Sequence, residues 1–296
     1  MPENETATTA APPLPLPRRR GRGLGARVSL FFSLAVLVLL LAMALFAPWL
    51  APFQPDDIDL ANRLAPASAE HWLGTDHQGR DILSRLVWGA RTSLGSVTAI
   101  AVFIVVAGFA VGALSGWIGG WVDNAIMRLC EMFMTFPTFI LAMFLVGVLG
   151  RGLTNVVIAI VLTHWAWYAR IVRGMVISLK NREYILAARA AGGTRLGIFR
   201  RHIAPAVLAQ LLILATLDLG HMLLHVSGLS FIGLGIQPPT AEWGVMINDA
   251  RAQIMTNPEL VVMPGLMILL TVLAFNIPGE YLRDRLDPAL SGNEEH

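Results

Sequence analysis

The sequence predicts an all-α polytopic membrane protein with six transmembrane helices and both termini on the cytoplasmic side. Three observations carry this. The chain of 296 residues is 55% hydrophobic and only 14% charged, whereas a soluble domain holds about 25% charged residues. Apolar runs of the ~20 residues needed to cross a bilayer recur six times, over about 28–48, 94–117, 125–149, 155–177, 206–235 and 260–282. Lys and Arg also gather on alternate connections, the bias that sets orientation. With the N-terminus inside, the cytoplasmic set holds Arg18, Arg19, Arg20, Arg22, Arg27, Arg128, Arg170, Arg173, Lys180, Arg182, Arg189, Arg195, Arg200, Arg201, Arg283 and Arg285. The outer set is smaller: Arg63, Arg80, Arg85, Arg91, Arg151 and Arg251.

Residues 1–27, rich in Pro and Ala and then basic, read as a disordered cytoplasmic tail. The run at 28–50 is too long for a signal-peptide core of ~7–15 residues, and Ala-Pro-Trp-Leu-Ala-Pro is a poor cleavage site, so it reads as a retained anchor. Residues 51–93, punctuated by Pro52, Pro55 and Pro66, form an external loop long enough for a small cap. Five further spans occupy 94–285, and 286–296 form a cytoplasmic tail. In the second span Gly108, Gly112, Gly116 and Gly120 lie four apart, a small-residue ridge that lets helix backbones approach closely. Packing within this chain and a seam with a second subunit both fit that ridge. In the third span Arg128 and Glu131 can pair at i, i+3, and Pro137 predicts a kink. A second outer loop, 236–258, carries Pro238, Pro239, Trp243 and Asn248.

Between spans four and five, residues 182–205 are polar and Arg-rich. The Ala-rich stretch from Glu183 predicts a short helix stopped by Gly192 and Gly193. Thr194 can cap a second helix ending before Pro205, with Leu196, Phe199 and Ile203 on one face. Such an element suits either an anionic lipid surface or a cytoplasmic partner. The sole lysine, Lys180, sits in Ser-Leu-Lys-Asn, which is not a phosphate-cradling P-loop. Nucleotide energy, if used, must come from another chain. A net charge of +2 suggests no nucleic acid, and the single Cys130 excludes a disulfide within the chain or a Cys-based zinc site.

In span five Asp218, His221 and His225 fall at i, i+3 and i+7, stacking a carboxylate and two imidazoles on one helical face, with Met222 bordering it. His164 in span four, beside Trp165 and Trp167, is a candidate for the same cavity. Ionisable groups at membrane depth are expensive and line polar pathways, and imidazole with carboxylate suits nickel, zinc or copper. Hydrogen-bonded helix contacts are the competing reading. His221 and His225 have the spacing of a zinc protease motif, but Met222 stands where its glutamate base belongs. His71, Asp76 and His77 also have metal-compatible spacing, and a structural role in the cap is the preferred reading there.

Several strings carry a family resemblance. Ala187-Ala188, Gly192, Ile203 and Pro205 resemble the EAA loop of bacterial ABC importer permeases, with Leu186 where glutamate is usual and Ala204 where leucine is usual. His71 to Asp76, Gly79-Arg80-Asp81, Leu229 to Gly235 and Asp287-Pro288 resemble the second ("C") type permease of dipeptide, oligopeptide and nickel importers. Thr163 to Arg170, the segment around Asp218 to Val226, and Pro239 to Arg251 are similar to the nickel branch. The resemblance implies a type I ABC importer permease fold whose coupling loop (Glu183, Ala187, Ala188, Gly192, Ile203, Pro205) docks on ATPases. It implies a second homologous permease, two cytoplasmic ATPase subunits that hold the ATP, and an external binding protein. Nickel is then the cargo and no cofactor resides in this chain, which is not itself an enzyme. A peptide permease of the same architecture and, less closely, a secondary metal carrier remain the alternatives.

Overall fold

A computed structural model describes residues 24–286, which leaves most of both tails and Asp287-Pro288 outside the described residues. Those residues form ten helices: α1 (Leu24–Leu50), α2 (Ile82–Ile118), α3 (Gly120–Met134), α4 (Thr138–Leu149), α5 (Leu153–Lys180), α6 (Glu183–Ala190), α7 (Arg195–Ile198), α8 (Ala204–Phe231), α9 (Trp243–Asp249) and α10 (Glu259–Leu286). Short 3-10 turns stand at Leu60–Asn62 and Arg251–Gln253. Five helical stretches are long and apolar enough to cross a membrane; the α3–α4 pair, bent by 86°, makes up to six if it counts as one span. The kink expected at Pro137 is thus a full break between two helices, because Pro137 takes an extended ψ of 122°.

The second span begins earlier than its apolar run. Asp81 caps α2, its carboxylate accepting from Ser84 N at 2.7 Å, so 82–93 are helix rather than the end of the outer loop. Apolar counting misses this turn because it carries Ser84, Arg85 and Arg91. At 1.5 Å per residue, 37 residues measure roughly 55 Å, so α2 is longer than an upright crossing of a ~30 Å hydrocarbon core requires.

α2 packs most extensively on α5, and the glycine ridge is why. A Cβ on Gly108 would lie 2.5 Å from Tyr168 Cβ, one on Gly112 2.3 Å from Ala169 O, and one on Gly116 2.9 Å from Arg173 O. Of the two readings of the ridge, packing within the chain is the one that Gly108, Gly112 and Gly116 take. Gly120 is not part of it: with φ +62° it lies beyond the end of α2, and with Gly119 (φ +74°) it turns the corner into α3. Around this pair, α1 packs on α2 and α10, and α8 on α2 and α10. The core runs through Ile100, Ile104, Ile160, Val172, Leu211, Met222 and Val226.

At the N-terminal end of α2 the 51–81 segment and the 236–258 loop close over the bundle. Arg80 and Arg85 are each 1% exposed at their side chains. Arg80 Nε donates to Asp76 at 2.6 Å and its Nη2 to Asp249 at 3.1 Å, while Arg85 Nη1 donates to Pro55 O at 2.8 Å. Burying two guanidiniums requires such pairing. Glu242, fully buried, caps α9 through Val245 N (2.9 Å) and accepts from Ser227 and Ser93 hydroxyls (2.9 and 3.2 Å). Trp243 Nε1 donates to Leu86 O at 3.1 Å, its ring filling the space that Gly89 leaves.

Candidate functional site

Halfway along the helices an open cavity of about 400 Å³ lies between the α3–α4 bend, α5 and α8. Its wall holds His164, Asp218, His221 and His225 together with Phe133, Met134, Thr138, Thr163 and Trp167. Four of the five residues expected on a metal path therefore share one cavity. Met222 does not join them. Four residues past Asp218 it is turned about 40° further round the helix, enough to bury it completely in the hydrophobic core.

The side chains are held individually. Tyr168 OH donates to Asp218 Oδ2 at 3.0 Å, and Asp218 Oδ1 lies 3.6 Å from His221 Nδ1. His225 Nδ1 lies 2.8 Å from His221 O, and His164 Nδ1 lies 3.2 Å from Ile160 O. A carbonyl only accepts, so in both rings Nδ1 is the donor, and in the neutral form of such a ring Nε2 is the nitrogen with the free lone pair. That is the tautomer by which a histidine steadied through one nitrogen offers the other to a metal. The His164 and His225 rings stand edge to face, centroids 5.1 Å apart. His221 is the open member, its side chain 68% exposed. Among the described residues no group of three His, Cys, Asp or Glu side chains is close enough to hold a metal ion by itself.

The sequence named Thr163 and Tyr168 only within the family-like string from Thr163 to Arg170 and gave neither a site role, and it did not single out Thr138. Tyr168 had a signal, since it follows His164 by one helical turn and so shares its face. Thr138 had none, because the break at Pro137 redirects everything after it.

The 182–205 segment forms a second candidate site at the C-terminal end of α2. Gly192 (φ +85°) ends the turn after α6, and Thr194 Oγ1 accepts from Gly197 N at 3.1 Å to cap α7. The expected stop before Pro205 is absent. α7 passes through a π turn, Phe199–Ile203, straight into α8. The wider turn removes the strain that Pro205 would impose on a regular helix, where its ring meets the carbonyl of residue i−4. It also shifts the register. Ile185, Ile198 and Ile203 face inward and Phe199 packs against the core, while Leu196, expected beside Phe199 and Ile203, is exposed. Tyr184, Leu186 and Leu196 are thus apolar groups in the open, beside exposed Glu183, Ala187, Gly192 and Pro205 and half-buried Ala188. Arg128 and Glu131 approach to 3.9 Å, both exposed.

His71 and Asp76 serve different partners in the cap. His71 Nδ1 lies 3.0 Å from Asp81 Oδ1, and Asp76 holds Arg80.

Helices long and apolar enough to cross a membrane, a cavity at their middle that holds three histidines and an aspartate, and a structured basic segment at one end fit a multi-pass transport component of the membrane. Residues 104–292 match the family of binding-protein-dependent transport system inner membrane components, and residues 29–67 match the N-terminal transmembrane domain of oligopeptide transport permease C. The chain belongs to this family of ABC-importer permease subunits, multi-pass proteins of the bacterial inner membrane. It is 56% identical to the nickel transport system permease protein NikC of Escherichia coli strain K12 over 254 residues, 86% of this chain and 92% of that protein. It is 43% identical to the glutathione transport system permease protein GsiD of Escherichia coli O6:K15:H31 over 255 residues, covering 84% and 83%.

Proposed function

We propose that this chain is one permease subunit of an ATP-driven importer of nickel, crossing as the ion or a chelate. In this reading both termini and the 182–205 segment lie in the cytoplasm, and the 51–81 cap and 236–258 loop face outward. A second permease completes the pore, an external binding protein delivers the metal at the cap, and two ATPase subunits bind 182–205 through Tyr184, Leu186 and Leu196. His164, Asp218, His221 and His225 line the metal's path, and Tyr168 holds Asp218 in place. The observation that carries the reading is the meeting of three imidazoles and a carboxylate at one cavity, in a chain more similar to a nickel permease than to a glutathione permease. Two of those imidazoles present Nε2. A conduction path needs ligands that release as readily as they bind, which one side chain from α5 and three from α8, not gathered into a closed site, provide.

The test is uptake of labelled nickel by cells whose endogenous system is deleted and which express this chain with its neighbouring transport genes. Uptake that requires ATP and is unmoved by excess dipeptide or glutathione supports nickel. Competition by peptide, or transport of peptide with nickel excluded, would move the assignment to a peptide permease. Uptake driven by the proton gradient without ATP would make it a secondary carrier.

A further inference from the structure

We propose that Lys180 and Trp117 form the transmission contact by which movement of the 182–205 segment reaches the α2–α5 pair and opens or closes the histidine cavity. Lys180, the last residue of α5 and the only lysine in the chain, reaches across to the end of α2. Its Nζ donates to Gly116 O at 3.1 Å and to Trp117 O at 3.0 Å. These belong to the carbonyls that a helix end leaves without partners, and a cation there also meets the negative end of the helix dipole. The ammonium lies 5.5 Å from the centre of the Trp117 ring, and that ring packs on Phe199 at 5.3 Å. Phe199 opens the π turn that runs into α8.

One small cluster therefore joins three things: the end of α5, the end of α2 and the start of α8's turn. The α2–α3–α5 corner behind it is stiff. Arg173 Nε and Nη2 hold both oxygens of Asp123 at 2.7 and 2.6 Å, and Ser115 donates to the same carboxylate at 2.5 Å. Above the corner the glycine ridge locks α2 to α5. A push on 182–205 thus acts on α8 and on the end of α5 through the continuous chain, and Lys180 and Trp117 pass it on to α2, so that the α2–α5 pair moves as one body. The cavity is divided the same way, His164 and Tyr168 riding on α5 and Asp218, His221 and His225 on α8. Relative motion of the two bodies changes the distance between its walls.

The inference rests on the assignment of 182–205 as the ATPase-binding segment, and the experiment separates the two. In the complete importer purified from membranes, ATP hydrolysis and nickel uptake are measured together in vesicles. Lys180→Met keeps the apolar stem and removes the charge and donors. It should leave hydrolysis running while nickel moved per ATP falls roughly fivefold or more, and Lys180→Arg should restore the ratio. An unchanged ratio in Lys180→Met overturns the proposal. So does a parallel fall of hydrolysis and uptake, which marks a purely structural residue. If Lys180→Met does not assemble, the wild-type complex decides. Reaction of the single lysine side chain with an amine reagent should differ by roughly fivefold between the nucleotide-free and vanadate-trapped states, and equal labelling refutes a contact that moves in the cycle. Leu196→Asp serves as the control. If it leaves the ATPases bound, the segment's assignment fails; if it releases them while Lys180→Met couples normally, only the transmission contact falls.

Discussion

Replacing Gly112 by alanine should separate α2 from α5, although it adds a single methyl group. The new Cβ would stand 2.3 Å from Ala169 O, 2.8 Å from Val172 Cβ and 3.0 Å from Ala169 C. Ordinary van der Waals contact begins near 3.4 Å, so the overlap with the carbonyl is about 1.1 Å. Backbone cannot rotate aside as a side chain does. The helices must move apart, and a gap of ~0.5–1 Å already forfeits a quarter to a half of each contact's attraction along the ridge. Overpacking of this kind costs about 1–3 kcal/mol. Gly95, on the same helix with nothing within 4 Å of its Cβ, is the matched control. There alanine should be neutral or stabilise by up to about 1 kcal/mol through helix propensity. The expected difference between the two variants is therefore about 1–4 kcal/mol. Thermal unfolding of the purified protein in one detergent, followed by loss of the monodisperse gel-filtration peak, ranks the pair. Equal stability of Gly112→Ala and Gly95→Ala would refute the close-packed ridge.

Three further outcomes follow from the same geometry. Glu242→Gln removes the carboxylate that two hydroxyls and Val245 N share; it should destabilise the 236–258 loop by about 1–3 kcal/mol, read as faster proteolysis within that loop, and unchanged cleavage would speak against the buried network. Tyr168→Phe removes the donor to Asp218. It should cost only about 0.5–1.5 kcal/mol of stability yet slow nickel uptake, because Asp218 loses its fixed orientation; uptake equal to wild type would show that Asp218 needs no positioning. Thr194→Ala should loosen the start of α7 by about 1 kcal/mol, seen as faster hydrogen exchange confined to α6 and α7.

Much of the fold was legible because hydrocarbon demands long apolar runs: five of the six runs fall on single long helices, while Pro137 splits the third into α3 and α4. The departures arise where polar residues are helical. Ile82 to Ser93 escaped because Asp81, Arg85 and Arg91 interrupt the apolar count, although an Asp followed by Ser84 is a readable cap. Gly120 shares the spacing of the ridge but not its helix, and spacing alone carries no information on φ. At the site, helical periodicity brought Asp218, His221 and His225 to one face, and it also allowed Met222, which only packing assigns to the core. The pairing of His164 with His225 joins two helices and has no local signal. The same holds for Arg80 with Asp249, 169 residues apart, and for Lys180 with the carbonyls of Gly116 and Trp117. Contacts between helices depend on how the bundle assembles, and a single sequence does not encode them at any fixed spacing.

If nickel crosses through the histidine-lined cavity, transport must depend on its imidazoles. The most direct measurement is the initial rate of labelled nickel uptake by the double variant His221→Ala, His225→Ala, with assembly of the importer checked by co-purification of its subunits. Loss of two of the cavity's three imidazoles should lower the rate roughly tenfold or more, since each lost ligand removes on the order of 1 kcal/mol or more of favourable interaction, while subunit stoichiometry stays unchanged. A fully assembled double variant that takes up nickel at the wild-type rate would show that the metal does not depend on this cavity.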